Sequence, residues 1–509
     1  MSGYLLGFDV GSSSVKACLL DSETGRAVAT ASSPATEMSI TAVKPGWAEQ
    51  APEEWWTHVR NTVASIRASH ARELAGLAGI GISYQMHGLV LVDKQGAVLR
   101  PSIIWCDSRA VPYGDGAFEA LGETFCLSHL LNSPGNFTAA KLAWVKENEP
   151  ELFSRVWKMM LPGDYVAFRM TGEAITTASG LSEGILWDAH EERPSDAVLN
   201  YFGFSPDILP ELRPMFSEQG RLTAVAADEL GLPKGVPVGY RAGDQPNNAL
   251  SLNVLEPGEL AATAGTSGVV YGVVGHPAYD KRSRVNTFVH VNHSPEDRRY
   301  GVLLCLNGTG SLNRWLKQNL VDSFESAATA GSADYAAMND LAARAPIGSE
   351  GVVVLPFGNG AERTLENADP GASFHGINFN IHGRSHLLRA GQEGIVFALN
   401  YGLAIMRDMG LSIDAVRAGY ANMFLSPLFA QAFATVSNTT VELYSTDGSE
   451  GAARGAGLGT GVFADREQAF RGLARREVVE PNQKESAAYA AAYSRWLEVF
   501  HSVMDSERK

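Results

Sequence analysis

The sequence predicts two related α/β domains whose loops face each other across a cleft. Three observations carry this expectation. With 509 residues the chain exceeds what one hydrophobic core usually organises, so at least two domains are expected. Near the N-terminus an apolar run at residues 4–8 meets another at 15–20 around a turn of Gly11 and three serines. In the second half the same design returns: residues 260–264, then Gly265-Thr266-Ser267-Gly268, then residues 269–274. The turn-rich link at 253–258 separates the repeats, giving an N-terminal domain of residues 1–252 and a C-terminal domain of residues 253–509.

Taken in order, the first unit reads as a β-hairpin with a small-residue turn. Gly11, Ser12 and Ser13 offer free backbone N–H groups and hydroxyls, the makings of a nest for anionic oxygens. Asp9 ends the incoming strand, where a carboxylate can orient the waters of a phosphate-bound Mg²⁺. Lys16 adds a mobile point charge on the far arm. No Walker loop is present, and an ordinary Ser-rich hairpin is the competing reading. Residues 26–31 form a third strand, and 34–52 are a polar, Pro-containing excursion. Pro52-Glu53-Glu54 opens a helix to about residue 69, with Trp55, Val59, Val63 and Ile66 on one face.

Residues 77–83 read as a buried strand, followed at once by Gln85-Met86-His87-Gly88. After a strand at 89–92, residues 98–105 run into Cys106-Asp107-Ser108-Arg109. The stretch 110–235 is mostly helical, most clearly at 139–147 and 224–230. A strand at 236–240 then leads through Arg241-Ala242-Gly243-Asp244-Gln245-Pro246 into a helix at about 247–252. Beyond the second hairpin, strands are expected at 301–306 and 351–357, and helices at 311–318, 386–407 and 451–462. Residues 323–335, rich in Ala, Ser and Gly, suggest an exposed helix–loop. The run Gly455-x-Gly457-x-Gly459-x-Gly461 lacks dinucleotide-binding spacing and reads as a surface for close helix packing.

Composition narrows the function classes. The net charge of −15 argues against nucleic acid or an anionic membrane as the main partner. Four scattered cysteines without a C-x-x-C pair give neither a zinc site nor a disulfide framework. With no signal peptide and no apolar stretch approaching ~18 residues, a soluble, cytoplasmic protein is expected.

The chemistry these pieces suggest is phosphoryl transfer to a hydroxyl, which needs a phosphate nest, Mg²⁺ and a carboxylate to take the proton. The two small-residue turns supply the nest from opposite sides. Asp244 is the natural base, at a strand end after Gly243; capping the following helix is its alternative role. Met86-His87 sits at another strand end, where a neutral imidazole can bond a sugar hydroxyl. A purely structural histidine is the alternative. Asp107 and Arg109, two apart on an extended strand end, fit an internal ion pair as well as a ligand contact.

The ordered set Asp9-x-Gly11-x-Ser13-x-x-Lys16, Gln85-Met86-His87-Gly88, Trp105-x-Asp107-x-Arg109, Gly243-Asp244 and Gly265-Thr266-Ser267-Gly268 resembles the FGGY family of carbohydrate kinases, and among them the xylulokinases. Glu362-Arg363-Thr364, Gln392-Glu393-Gly394 and Gly451-Ala-Ala-Arg-Gly455 extend the resemblance over nearly the whole chain. It implies two actin-like (ribonuclease H-like) domains closing on ATP and a small-molecule sugar, with Mg²⁺. It also implies Asp244 as general base, Met86 and His87 on the ketose, and Asp9 near the metal. Gly265, Thr266 and Gly310 would lie along the nucleotide, and a homodimer is compatible with the resemblance. The activity implied is phosphorylation of the terminal hydroxyl of D-xylulose. Another ketose or polyol such as ribulose, or a non-catalytic actin-like nucleotide switch, are the alternatives. Three departures stand out: Gln245 follows the base where Asn is usual, Ala361 and Leu365 flank Glu-Arg-Thr, and Gly419-Tyr420-Ala421-Asn422-Met423-Phe424 replaces a Gly-Gly-Gly-Ala adenine loop.

Overall fold

A computed structural model describes residues 3–322 and 334–507. The helix–loop expected at 323–335 falls on residues 323–333, outside the described residues.

In the first half, β1 (Tyr4–Val10), β2 (Val15–Asp21), β3 (Arg26–Ser33), β4 (Leu77–Tyr84) and β5 (Val238–Gly243) form one sheet in the order β5-β4-β1-β2-β3. β2 runs antiparallel to both of its neighbours, β1 and β3, and β4 and β5 run parallel to β1. In the second half, β6 (Leu260–Ala264), β7 (Gly268–Val274), β8 (Asn286–Val289), β9 (Tyr300–Leu306), β10 (Ala415–Gly419), β11 (Thr440–Ser445) and β12 (Ala474–Val479) form a sheet in the order β8-β9-β7-β6-β10-β11-β12. Within it, β11-β10-β6-β7-β9 repeats the order and the strand directions of the first sheet. The expected duplicated, actin-like architecture is present, with β8 and β12 added at the edges. The central strands are buried on both faces, which is why their sequences are near-continuous apolar runs and not alternating ones.

The helices that position the site are α1 (Pro52–Leu74), α2 (Thr138–Asn148), α3 (Ala178–Glu183), α4 (Asp244–Ser251), α5 (Thr309–Lys317), α6 (Arg384–Asp408) and α7 (Gly448–Gly459). Helix α1 starts with proline in its first turn and buries Trp55, Val59, Val63 and Ile66 as expected. Its expected end near residue 69 coincides with a break at His70 (φ −130°), beyond which helix resumes to Leu74. The glycines of α7 serve packing. A Cβ on Gly81 would lie 1.9 Å from the carbonyl oxygen of Ala452, and one on Gly459 only 1.7 Å from that of Gly239. This helix of the second half therefore lies directly on the first sheet. There Leu5, Cys18, Leu20, Tyr240 and Ala242 share one core with Ala452, Ala453, Ala456 and Phe463.

A second seam joins the helical region of the first half to edge strand β8. Asn132 bonds both main-chain groups of Thr287 (2.7 and 3.0 Å), and the Ser182 hydroxyl accepts from the Val289 N–H at 3.0 Å. Among the described residues no helix is long and apolar enough to cross a membrane.

Candidate active site

The turn between β1 and β2 is closed by the Gly11 N–H donating to the Ser14 carbonyl at 3.0 Å, so that N–H is engaged within the turn and not free as expected. Ser13 and Lys16 are exposed, and the Ser12 hydroxyl accepts from the Trp105 indole N–H at 3.3 Å. Asp9 lies opposite Lys16 in the ladder and accepts from the Ser83 hydroxyl at 2.9 Å. Its carboxylate rests against the start of α7, where a Cβ on Gly448 would come within 2.6 Å of Oδ2. Burial raises the Asp9 pKa, against the Ser83 hydrogen bond and Lys16, and the nearby Asp447 raises it further. A single carboxylate beside a turn of small polar residues would suit Mg²⁺, which keeps most of its waters and can take its remaining ligands from phosphates. No group of three His, Cys, Asp or Glu side chains able to hold a metal exists among the described residues.

Asp244 is the first residue of α4, three residues ahead of the expected helix start; the N-cap is Gly243, with no side-chain capping bond. Capping is thus not its role. The half-buried carboxyl is raised to about 7, by burial first and by the charge of Asp9 second, with hydrogen bonds from Gln245 opposing. That places it where a carboxylate can take a proton near neutral pH. Met86 packs against the preceding residue: a Cβ on Gly243 would lie 2.6 Å from Met86 Cγ and 3.3 Å from Glu183 Oε2.

His87 stands in a left-handed turn (φ 62°) after β4. Its N–H donates to Glu183 Oε2 at 3.2 Å, and its Nδ1 lies 3.0 Å from the Glu183 carbonyl. A carbonyl only accepts, so Nδ1 carries the proton and Nε2 is left as an acceptor. Burial, with Lys141 adding, draws the ring down to about 3, so it is neutral. Phe137 and Phe288 wall it at ring distances of 4.8 and 5.5 Å. Such an imidazole accepts a hydroxyl hydrogen bond from a ligand and carries no charge.

The Trp105–Arg109 segment is a turn and not an extended strand end. Asp107 is fully buried and accepts from Arg109 (2.6 Å) and from the Ala48 N–H (2.6 Å); Arg109 also reaches Glu49 at 2.7 Å and covers the Trp47 ring at 3.7 Å. This pair braces the turn internally, while Trp105 remains 48% exposed.

Across the cleft, the β6–β7 turn borders a cavity of about 380 Å³ lined by Gly265, Thr266, Gly310, Asn313, Tyr335 and Asn422 among others. The size is that of a small-molecule pocket. The Gly310 N–H donates to the Gly265 carbonyl at 3.0 Å, an approach that requires glycine because a Cβ would sit 2.1 Å from that oxygen. The divergent segment at 419–424 still contributes Asn422 (φ 54°) and Met423 to the wall. Glycine walls, backbone N–H groups and side-chain amides fit a nucleotide. The halves also meet electrostatically. The Cys305 thiol is pushed up to about 12 by burial, then by Glu362 and Asp244, and it bonds Ser267 of the second turn. Glu362 is held near 7 by burial and accepts from the Asn307 N–H at 3.0 Å. Arg363 lies over the Phe137 ring at 5.7 Å, so a side chain of the second half borders the His87 pocket.

Sequence reasoning did not single out Glu183, Lys141, Phe137 or Phe288 on the His87 side. On the cavity side it missed Asn313, Tyr335 and Asn339. Lys141 carried a signal: a charged residue amid the apolar positions of Ala139-Ala140-Lys141-Leu142-Ala143.

Residues 4–251 match the model for the N-terminal domain of the FGGY family of carbohydrate kinases, and residues 260–462 match its C-terminal domain. The chain is 31% identical to a xylulose kinase of Bacillus subtilis, covering 91% of this chain and 90% of that one. It is 29% identical to a xylulose kinase of Escherichia coli over 97% of both. The crystal structure of a xyloylose kinase from Brucella ovis superposes with a TM-score of 0.87 at 28% identity, covering 98% of this chain and 99% of that one.

Proposed function

The chain belongs to the FGGY family of carbohydrate kinases, phosphotransferases with an alcohol group as acceptor, and we propose that it phosphorylates the terminal hydroxyl of D-xylulose from ATP. In this reading residues 1–252 hold the sugar and residues 253–509 the nucleotide. Asp244 takes the proton of the attacking hydroxyl. Asp9 orients the waters of the Mg²⁺, and burial first, with the charge of Asp9 second, raises the Asp244 pKa to about 7. His87 accepts from a sugar hydroxyl through Nε2, and Met86 shapes the apolar wall. Ser12, Ser13 and Lys16, on the turn that Gly11 closes, hold transferring phosphate oxygens from one side; Gly265, Thr266 and Gly310 line the nucleotide from the other. Mg²⁺–ATP supplies the phosphoryl group and neutralises the charge that develops as it moves.

The observation that carries this reading is the carboxyl of Asp244, raised to about 7 by burial and by the charge of Asp9, directly after Gly243, which faces Met86. A nucleotide switch that only binds or hydrolyses ATP needs no hydroxyl base facing such a pocket. Gln245 in the position next to the base keeps a second ketose or a polyol as the alternative substrate.

The test is coupled detection of ADP release with Mg²⁺–ATP over a panel of ketoses, aldoses and polyols. Turnover greatest with D-xylulose is the expected result. Greater turnover with another sugar would retain the mechanism and change the substrate. ATP binding without any sugar-stimulated turnover would overturn the kinase assignment of Asp244.

A further inference from the structure

We propose that Lys141 is a positioning residue for sugar binding, its ammonium clamping together the two turns that border the sugar pocket. This rests on the reading of His87 as a sugar contact. Lys141 lies in α2 with its side chain fully buried. Its Nζ donates to the carbonyl of His87 at 2.8 Å and to that of Ile104 at 3.0 Å. The first carbonyl belongs to the turn after β4, the second to the residue that enters the Trp105–Arg109 turn. One backbone bond, Leu89 N–H to Ile103 O at 2.9 Å, joins these segments farther from the cleft. Lys141 joins them at the tips, where His87 and Trp105 stand.

The charge on Nζ matters, because hydrogen bonds from an ionised donor are roughly twice as strong as neutral ones. The groups that face Lys141 are Asp107, Cys106 and Arg109 from the Trp105–Arg109 turn, Glu183 from α3 and His87 from the β4 turn. Burial lowers Lys141 to about 8, with Asp107 the largest opposing influence. The clamp therefore loses its charge just above neutral pH. The sugar pocket should loosen there, while the cavity walled by Gly265 and Gly310 has no part in the clamp.

The test is calorimetric titration of D-xylulose and, separately, of ADP, at pH values from about 7 to about 9.5. It uses the wild-type chain, Lys141→Arg and Lys141→Met. In the wild type the sugar Kd should rise ~10-fold between about pH 8 and 9.5, with the ADP Kd constant within ~2-fold, as linkage to one proton requires. Lys141→Met should bind sugar ~10-fold or more weakly than wild type at about pH 7 and, lacking the alkaline dependence, approach the wild-type Kd at about pH 9.5, and Lys141→Arg should regain pH-independent binding. If the variants do not fold, the wild-type titration still decides. A wild-type sugar Kd flat across this range, or Lys141→Met binding sugar as tightly as wild type at about pH 7, would overturn the proposal alone. Absence of binding and of turnover for every sugar in the panel would overturn the functional reading and this inference with it.

Discussion

Replacing Asp244 by Asn should nearly abolish phosphoryl transfer and at the same time make the protein more stable. The carboxyl sits at about 7 in the folded chain against an ordinary 3.8, because burial and Asp9 penalise its charged form. Below about pH 4 both folded and unfolded chains hold the proton, and nothing is lost. Between about 4 and 7 the unfolded chain releases it while the folded one keeps it, so stability falls as pH rises; above about 7 the loss is complete. Three units at about 1.4 kcal/mol each set an upper limit of about 4 kcal/mol. Since Asp244 keeps some contact with solvent, roughly half of that is expected. In a chain this long, that is a gain of roughly 2 °C in Tm for the variant. Thermal melts at about pH 4 and about pH 8 should show equal stability at the first and a more stable variant at the second. The coupled assay should show a loss of ~10²–10⁴-fold in kcat, and the wild-type kcat/KM should climb with unit slope up to about pH 7. A variant with wild-type turnover, or one less stable than wild type at pH 8 alone, would refute the reasoning.

Three further substitutions separate the parts of the site. His87→Ala should raise the sugar KM by ~10-fold or more, from loss of a buried hydrogen bond and its packing, with the ADP Kd by calorimetry nearly unchanged; an unchanged KM would remove His87 from the pocket. Gly310→Ala should do the reverse, weakening ADP binding, because its Cβ would sit 2.1 Å from the Gly265 carbonyl oxygen and push the turn aside. Wild-type ADP affinity in that variant would show the turn is not part of the nucleotide site. Gly81→Ala forces a Cβ to 1.9 Å from the Ala452 carbonyl oxygen and should lower stability by ~1–3 kcal/mol or more in urea unfolding. A neutral result would mean α7 can lift from the first sheet at little cost.

Local pattern made the hairpins and the strands legible, since central strands are continuous apolar runs and the turns between them are small-residue punctuation. It also gave the glycine-rich α7 its packing role, although which sheet it packs against is a long-range fact that no window around residue 450 contains. The start of α4 was missed because Gln245-Pro246 looks like a turn. Proline is tolerated in a first helical turn, so the helix begins at Asp244. For Asp107 and Arg109 the sequence leaves an ion pair and a ligand contact equally open, because their partners Glu49 and Trp47 lie far back in the chain. The contacts made in space with Ala48, Glu49 and Trp47, and not the two-residue spacing, decide that Asp107 and Arg109 brace the turn. Glu183 carries no local mark, and the charge of Lys141 amid apolar neighbours signals burial only; each acts on His87 from a different helix, and nothing local ties either to that distant turn.

The seam between α7 and the first sheet also sets a timetable. A ribosome delivers residues 1–252 first, yet the face formed by Leu5, Cys18, Leu20, Tyr240 and Ala242 shares its core with late side chains between Ala452 and Phe470. Until that late stretch emerges, the early sheet carries an apolar surface with its permanent cover still unmade. Vectorial synthesis, which lets ordinary tandem domains finish one after the other, here leaves the first waiting for the second. A chain truncated before residue 448 would lack that cover, so the two halves are joined in their folding as well as in their chemistry.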